Sequence, residues 1–259
     1  MSFLINILTL FGCSLALFTL PGTIELLLLT LGGLLPSRRI QAKPLASPLK
    51  IAIVVPAHNE EDYISQCVSG LLACDKPAGQ FKVYVVADNC SDNTAVYAKA
   101  AGAEVLERND AERHGKGYAL DYAFTVILDQ DIDALLIVDA DTVVDSNFVC
   151  ACEQVFSAGA DAVQCRYTVN NPYVSKRSHL MHIALLAFNV LRPYSRERFG
   201  LSAGILGNGF GVRASVLREV QYSSRSIVED LEYHLVLVSA NKRVRFVDST
   251  TVRCLHPQD

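Results

Sequence analysis

An α/β fold on a mostly parallel sheet, preceded by a single membrane-spanning helix, is what three features of the sequence predict. Short apolar runs of strand type alternate with segments of helix length after residue 50, the pattern that builds βαβ units. Two of those runs end in carboxylates: residues 83–87 lead into Asp88, and residues 134–138 into Asp139-Ala140-Asp141. Open α/β sheets bind ligands at that carboxyl edge. Finally, residues 3–36 carry one charged side chain, Glu25, in an apolar run long enough to cross a hydrocarbon core about 30 Å thick.

The 259 residues, 51% of them hydrophobic, suffice for one full-sized core behind the apolar segment. The organisation expected is a membrane anchor over 1–36, a linker over 37–50 and a catalytic domain over 51–259. A formal net charge of -4 argues against a nucleic-acid partner, which needs a basic face. The eight cysteines contain no Cys-x-x-Cys pair, so they read as reduced, structural residues. Asn89-Cys90-Ser91 fits a glycosylation sequon, but nothing in the chain supplies a secreted context.

Taken in order, the apolar segment lacks a preceding Lys or Arg and a small-x-small cleavage site, so it reads as an anchor and not as a signal peptide. Pro21-Gly22 divides it, which predicts a kinked single span with an interfacial extension. Glu25 reads as an interfacial carboxylate beside the kink. Arg38, Arg39, Lys43 and Lys50 follow, and their positive charge places the rest of the chain on the cytoplasmic side of the cell (inner) membrane. Residues 51–55 form a strand ended by Pro56 and followed by the polar cluster His58-Asn59-Glu60-Glu61. Residues 83–87 form a second strand; Ser91, Asp92 and Asn93 offer helix caps for a helix over 94–101, and Gly102 stops it. A helix over about 118–128 and the strand 134–138 continue the alternation. Later come strands at 162–169 and 244–247 and a helix over 229–239. The apolar stretch 178–190, flanked by Lys176, Arg177, Arg192, Arg196 and Arg198, admits two readings: a helix along a membrane surface, or a core helix with solvated ends.

The chemistry lies in the carboxylates. Asp139 and Asp141, one residue apart at a strand end, repel unless a cation or solvent relieves them, and their hard oxygens suit a divalent metal. Asp88 has the bland alternative of a turn residue. Glu229 fits a capping box with Ser226, which leaves Asp230 unassigned and available as a general base. His114-Gly115-Lys116-Gly117 puts a cation between glycines just ahead of a helix, a setting for phosphate. It is not a P-loop, because Asp110 and Gly117 stand where Gly and Ser or Thr are required. Gly207-Asn208-Gly209-Phe210-Gly211 fails as a dinucleotide fingerprint, since Val212 occupies the third glycine position. Gly200-Leu201-Ser202-Ala203-Gly204 matches a hydrolase elbow, with Asp230 and His234 or His256 behind it, but neither flank is a strand or a helix.

Together, Val54-Val55-Pro56-Ala57-His58-Asn59-Glu60-Glu61, Val86-Ala87-Asp88-Asn89-Cys90-Ser91-Asp92-Asn93-Thr94, Gly115-Lys116-Gly117, Val138-Asp139-Ala140-Asp141 and Val228-Glu229-Asp230-Leu231 resemble a family 2 glycosyltransferase of the GT-A fold. The order and spacing match over about residues 50–252. The Gly207-Asn208-Gly209-Phe210 segment is typical of the membrane-bound branch related to polysaccharide synthases. The resemblance implies a GT-A sheet with a Rossmann-like nucleotide-binding half. It also implies inverting transfer from a nucleotide-sugar, a UDP-sugar first among them, to a glycan or lipid acceptor. Carried over, Asp88 would contact the base, with Pro56, His58 and Glu60 lining the same pocket. Lys116 would face the pyrophosphate, Asp139 the ribose and metal, and Asp141 would ligate Mg2+ or Mn2+. Asp230 would be the catalytic base. The chain has no Trp, so the family's Gln-x-x-Arg-Trp motif is absent from it. The resemblance therefore also admits a non-catalytic nucleotide-sugar-binding or assembly subunit, and a nucleotidyltransferase is a third reading.

Overall fold

The computed structural model describes residues 2–35, 48–222 and 228–255. An eight-stranded sheet organises the chain, in the order β3-β2-β1-β4-β7-β6-β8-β5. The first half is parallel throughout: β1 (Lys50–Ala57) pairs with β2 (Gln80–Asp88) and with β4 (Ala134–Ile137), and β2 pairs with β3 (Glu104–Arg108). The second half is mixed. β7 (Phe210–Arg213) runs antiparallel between β4 and β6 (Ala162–Val169), β8 (Val244–Cys254) lies parallel to β6, and β5 (Thr142–Val144) closes the edge antiparallel to β8.

Helices cover both faces, which is why the strands are continuous apolar runs and not alternating ones. Ile51, Ile53, Val55, Leu136 and Val138 point to one layer, with α2 (Ile64–Leu72), α3 (Thr94–Ala100) and α5 (Phe148–Ser157). Ala52, Val54, Leu135 and Ile137 point to the other, with α4 (Lys116–Leu128), α8 (Ala214–Glu219) and α9 (Glu229–Ser239). The chain builds β1, β2 and β3 outward, then returns to lay β4 on the other side of β1. That reversal opens a crevice at the carboxyl ends of β1 and β4.

Several expectations are corrected. β1 does not end at Pro56 but continues to Ala57. Val54 faces β4, where its carbonyl accepts from Val138 N-H at 3.1 Å, and Pro56, two residues on, faces the same side where β4 has already ended. Its missing N-H therefore leaves no gap in the ladder. α1 (Ser2–Gly33) is a single helix that continues through Pro21, because a proline removes one helical hydrogen bond and the rest of the ladder holds. α1 is the one helix among the described residues long and apolar enough to cross a membrane. Its apolar side chains are exposed apart from Leu29. Glu25 lies 3.2 Å from Arg196 and 3.7 Å from Arg192. Arg38, Arg39, Lys43, Ser226 and His256 lie outside the described residues.

The stretch 178–190 is not a core helix. α6 (Lys176–Leu185) has no buried residue and runs through a π-helical turn (Leu186–Leu191) into α7 (Arg192–Arg198). The described cysteines are free thiols, and burial pushes the Cys67 thiol up to about 12 and the Cys74 thiol to about 11. Such thiols stay protonated and inert.

Candidate functional site

The carboxyl ends of β1, β2 and β4 and the N-terminus of α4 surround a cleft of about 550 Å³. Pro56, His58, Glu60, Asp88, Lys116, Asp139 and Asp141 all line it, together with His114 and Gly115. Each gets there for a local reason. Asp88 is the last residue of β2 and pairs in register with Arg108 at the end of β3. The Arg108 guanidinium donates to its Oδ1 at 2.5 Å, and also to Asp110 at 2.9 Å and to the Arg113 carbonyl at 2.8 Å. Asp88 is thus a buried acceptor whose orientation is fixed from behind. His58 holds the Asp88 carbonyl through Nδ1 at 2.7 Å, and the Glu60 N-H donates to Thr94 Oγ1 at 2.8 Å. Asp92 caps the start of α3 by accepting from Thr94 N at 3.0 Å. The loop after β1 is therefore tied to the loop after β2.

Gly115, with φ 116°, precedes α4. This backbone turn is one that an L side chain rarely adopts, and it brings the Lys116 amine into the cleft. There it pairs with Asp139 and donates to the Gly207 carbonyl at 2.6 Å.

The Asp139-Ala140-Asp141 turn is held by a latch that the sequence did not reveal. Asn208, buried, accepts from the Asp139 N-H at 3.2 Å and donates to Thr142 Oγ1 at 2.8 Å. Gln164 of β6 in turn donates to the Asn208 carbonyl at 2.8 Å and accepts from the Leu206 N-H at 2.9 Å. A Cβ on Gly209 would stand 2.5 Å from Val252, so only glycine lets this loop lie against β8. The glycine-rich run from Gly207 to Gly211 is thus the brace of the acidic turn.

Asp230 does not line the cleft but stands beside it. A Cβ at Gly207 would sit 3.2 Å from its Oδ2, on the loop whose carbonyl Lys116 binds. α9 begins at Glu229 with Val228 as an uncapped N-cap. Asp230 Oδ1 accepts from the Leu231 N-H at 2.8 Å. The hydrolase reading meets a real contact, since His234 Nε2 and Ser202 Oγ are 2.9 Å apart. Yet residues 201–206 form no strand or helix, so no elbow presents Ser202. Its hydroxyl also accepts from Val244 N-H at 3.1 Å, which makes the pair a tie between α9 and β8.

The cleft is acidic. Burial, then Asp141, then Asp139, pushes the Glu60 carboxyl above its usual range. Among the described residues no three His, Cys, Asp or Glu side chains group to hold a metal by themselves. Two neighbouring carboxylates nonetheless fit Mg2+ or Mn2+, which commonly take one or two protein oxygens and complete their shell with phosphate and water.

A parallel half-sheet with an Asp-x-Asp turn at its switch-point edge is the architecture of the GT-A class of folds. The chain belongs to the family described as Glycosyltransferase like family 2, whose model matches residues 48–259. Among curated relatives it is 23% identical over 206 residues to "Probable glycosyltransferase YdaM" of Bacillus subtilis (strain 168), covering 76% of this chain and 48% of that protein. It is 27% identical to the beta-monoglucosyldiacylglycerol synthase of Trichormus variabilis, covering 70% of this chain and 40% of that protein. The chain thus spans less than half the length of these relatives. Among solved structures, the mannosyltransferase PcManGT of Pyrobaculum calidifontis, in complex with GDP-Man and Mn2+, superposes with a TM-score of 0.70 at 16% identity. That match covers 95% of this chain and 69% of that one. Glucosyl-3-phosphoglycerate synthase of Mycobacterium tuberculosis, with Mg2+ and UDP, gives 0.57 at 21% identity, covering 87% and 78%.

Proposed function

We propose that this chain carries the donor site of a metal-dependent, inverting glycosyltransferase that moves a sugar from a UDP-sugar to a glycan or lipid acceptor at the cytoplasmic face of a membrane. The observation that carries the reading is the single cleft lined by Pro56, His58, Glu60, Asp88, Lys116, Asp139 and Asp141. In it, Asp88 accepts a hydrogen bond from the N-H edge of the base, oriented by Arg108. Lys116 and the first N-H groups of α4 take the diphosphate, with Lys116 exchanging part of its contact with Asp139 for phosphate. Asp141, with Asp139, would hold Mg2+ or Mn2+, which when bound neutralises charge growing on the departing diphosphate. Asp230 takes the proton of the acceptor hydroxyl as its oxygen bonds to the anomeric carbon and the carbon-phosphate oxygen bond breaks. The nucleoside diphosphate leaves on the opposite face, which inverts the centre.

The membrane part of the reading is supported by α1 and by the basic residues Arg38, Arg39 and Lys43 that follow it. A lipid acceptor is supported by the Trichormus variabilis relative, whose name describes synthesis of a glucosyldiacylglycerol. Isothermal titration of UDP with and without Mn2+ tests the donor site, and metal-independent or absent binding overturns it. Turnover tests the rest: Asp230→Asn should keep UDP binding and lose at least about 100-fold in rate. Binding without turnover by the parent chain under any acceptor would assign it a binding or assembly role. Release of pyrophosphate in place of UDP would make it a nucleotidyltransferase.

A further inference from the structure

α6 and the π-helical turn after it leave an apolar stripe exposed. Leu180, Ile183, Ala184, Ala187 and Phe188 recur at helical spacing along α6 and the π-helical turn, and all are exposed, Leu180 by 67%, Ile183 by 50% and Phe188 by 54%. The face turned toward the sheet mixes polar and apolar groups: His182 Nδ1 lies 2.8 Å from Thr168 Oγ1, Asn189 is buried, and Met181, Leu185, Leu186 and Val190 are half-buried. Burying an apolar stripe is what normally holds a surface helix down. Here that stripe points outward, with Lys176 and Arg177 exposed at its start.

What lies along this stripe is indicated by α1. At 1.5 Å per residue its 32 residues rise about 48 Å, against a hydrocarbon core about 30 Å thick. Glu25 is the one charged side chain in this run, and a carboxylate is costly at mid-bilayer, which places the stretch from Glu25 onward at the edge of that core. This stretch is where α7 sits. Arg196 reaches Glu25 at 3.2 Å, Ser195 Oγ donates to the Leu29 carbonyl, and Tyr194 OH donates to the Leu35 carbonyl at 3.0 Å. Gly32 and Gly33 permit the approach: a Cβ on either would collide with Phe199 or Leu191. α7 is thus fastened to α1 between Glu25 and Leu35, and α6 is continuous with α7 through the π-helical turn, which holds the exposed stripe next to that end of α1.

We infer that the outer stripe of α6 and the π-helical turn is seated at the headgroup and acyl-chain boundary of the bilayer that α1 crosses, with Lys176 and Arg177 toward anionic lipid. This rests on the reading of α1 as a membrane span. The pairing of an apolar stripe with flanking cations is the arrangement that binds interfaces, and it makes the catalytic unit a two-point attachment: one helix through the membrane, one upon it.

The absence of native Trp gives a direct test. The full chain is reconstituted in vesicles of phosphatidylcholine and phosphatidylglycerol whose phosphatidylcholine is brominated near the headgroup end of its acyl chains. It carries one Trp at a time: Leu180→Trp, Ile183→Trp, Leu17→Trp in α1, or Val96→Trp in α3. Emission from Leu180→Trp and Ile183→Trp should be shifted to the blue and quenched to an extent comparable to Leu17→Trp, while Val96→Trp stays unquenched. Quenching of Leu17→Trp alone overturns the inference and leaves the anchor intact. Loss of quenching at all positions overturns the anchor reading itself. A blue shift at Leu180→Trp without quenching means protein covers the stripe, for example a second copy of the chain, and also overturns it. Two α6 positions are used so that one poorly folding variant does not decide the outcome.

Discussion

At the scale of single residues, the cleft stores its tension in charge. Glu60 has its carboxyl raised, by burial first and by Asp141 and Asp139 next. A carboxyl with a raised folded-state pKa favours folding below its ordinary titration range, and that benefit is lost as pH rises through the folded value. Glu60→Gln removes the ionisation, so the variant should melt higher than the parent at pH 7 and match it near pH 4. Thermal melts across that range check it, and an equal difference at both ends would refute the electrostatic cause. Added Mn2+ should narrow the gap at pH 7 by supplying the counter-charge. Arg108 behaves oppositely. Its side chain and that of Asp88 are 9% and 6% exposed, and removing one member of such a pair strands the other. Arg108→Met should destabilise the protein by about 3 kcal/mol and weaken UDP binding, read by chemical denaturation and titration. Undiminished UDP binding in a folded Arg108→Met protein would remove Arg108 from the account of base recognition.

At the scale of elements, the site is a set of strand ends joined by side-chain ties, and the ties decide whether the acidic turn is preorganised. Asn208 joins β4 to the start of β5 and is itself held by Gln164 of β6. Asn208→Ala leaves Thr142 Oγ1 and the Asp139 N-H without their partner, at a cost of about 2 kcal/mol. If that cost falls on the conformation that binds metal and diphosphate, UDP affinity in Mn2+ should drop by about thirtyfold, measured by titration. A loss of melting temperature with unchanged affinity would make Asn208 a purely structural tie. The strands that carry these groups were legible in the sequence because both faces of the sheet are buried, which turns each into an uninterrupted apolar run. The latch was not. Asn208 sits in a glycine-rich segment with no periodicity, and its meaning depends on β7 being inserted antiparallel between β4 and β6, a pairing of distant segments. Arg108 was hidden for the same reason, since its partner Asp88 is assigned only when β2 and β3 are known to be in register.

At the scale of the whole molecule, α1 and the sheet are coupled through α7, and this too lay beyond the sequence. Glu25 read as an interfacial carboxylate with no partner named, because Arg192 and Arg196 lie more than 160 residues away. The family and the carboxylate motifs were readable, since each motif is local to one strand end, loop or helix start; the joint between α1 and the sheet is a contact between helices that no local pattern announces. Its energetic weight is limited by exposure. Glu25 is about half exposed and the two arginines about a third, so each pair is worth less than about 1 kcal/mol when water surrounds it. Charge reversal asks for more than loss of a pair. Glu25→Arg brings a third cation against Arg192 and Arg196, and should lower the melting temperature of the full chain in detergent by about 2–4 °C. Combining it with Arg196→Glu restores one attraction and should recover part of the loss, whereas Arg196→Glu alone should be destabilising. Recovery in the double variant identifies the ion pair as the joint between α1 and α7. Additive losses would place the joint instead in the close packing of Gly32 and Gly33 against Phe199 and Leu191.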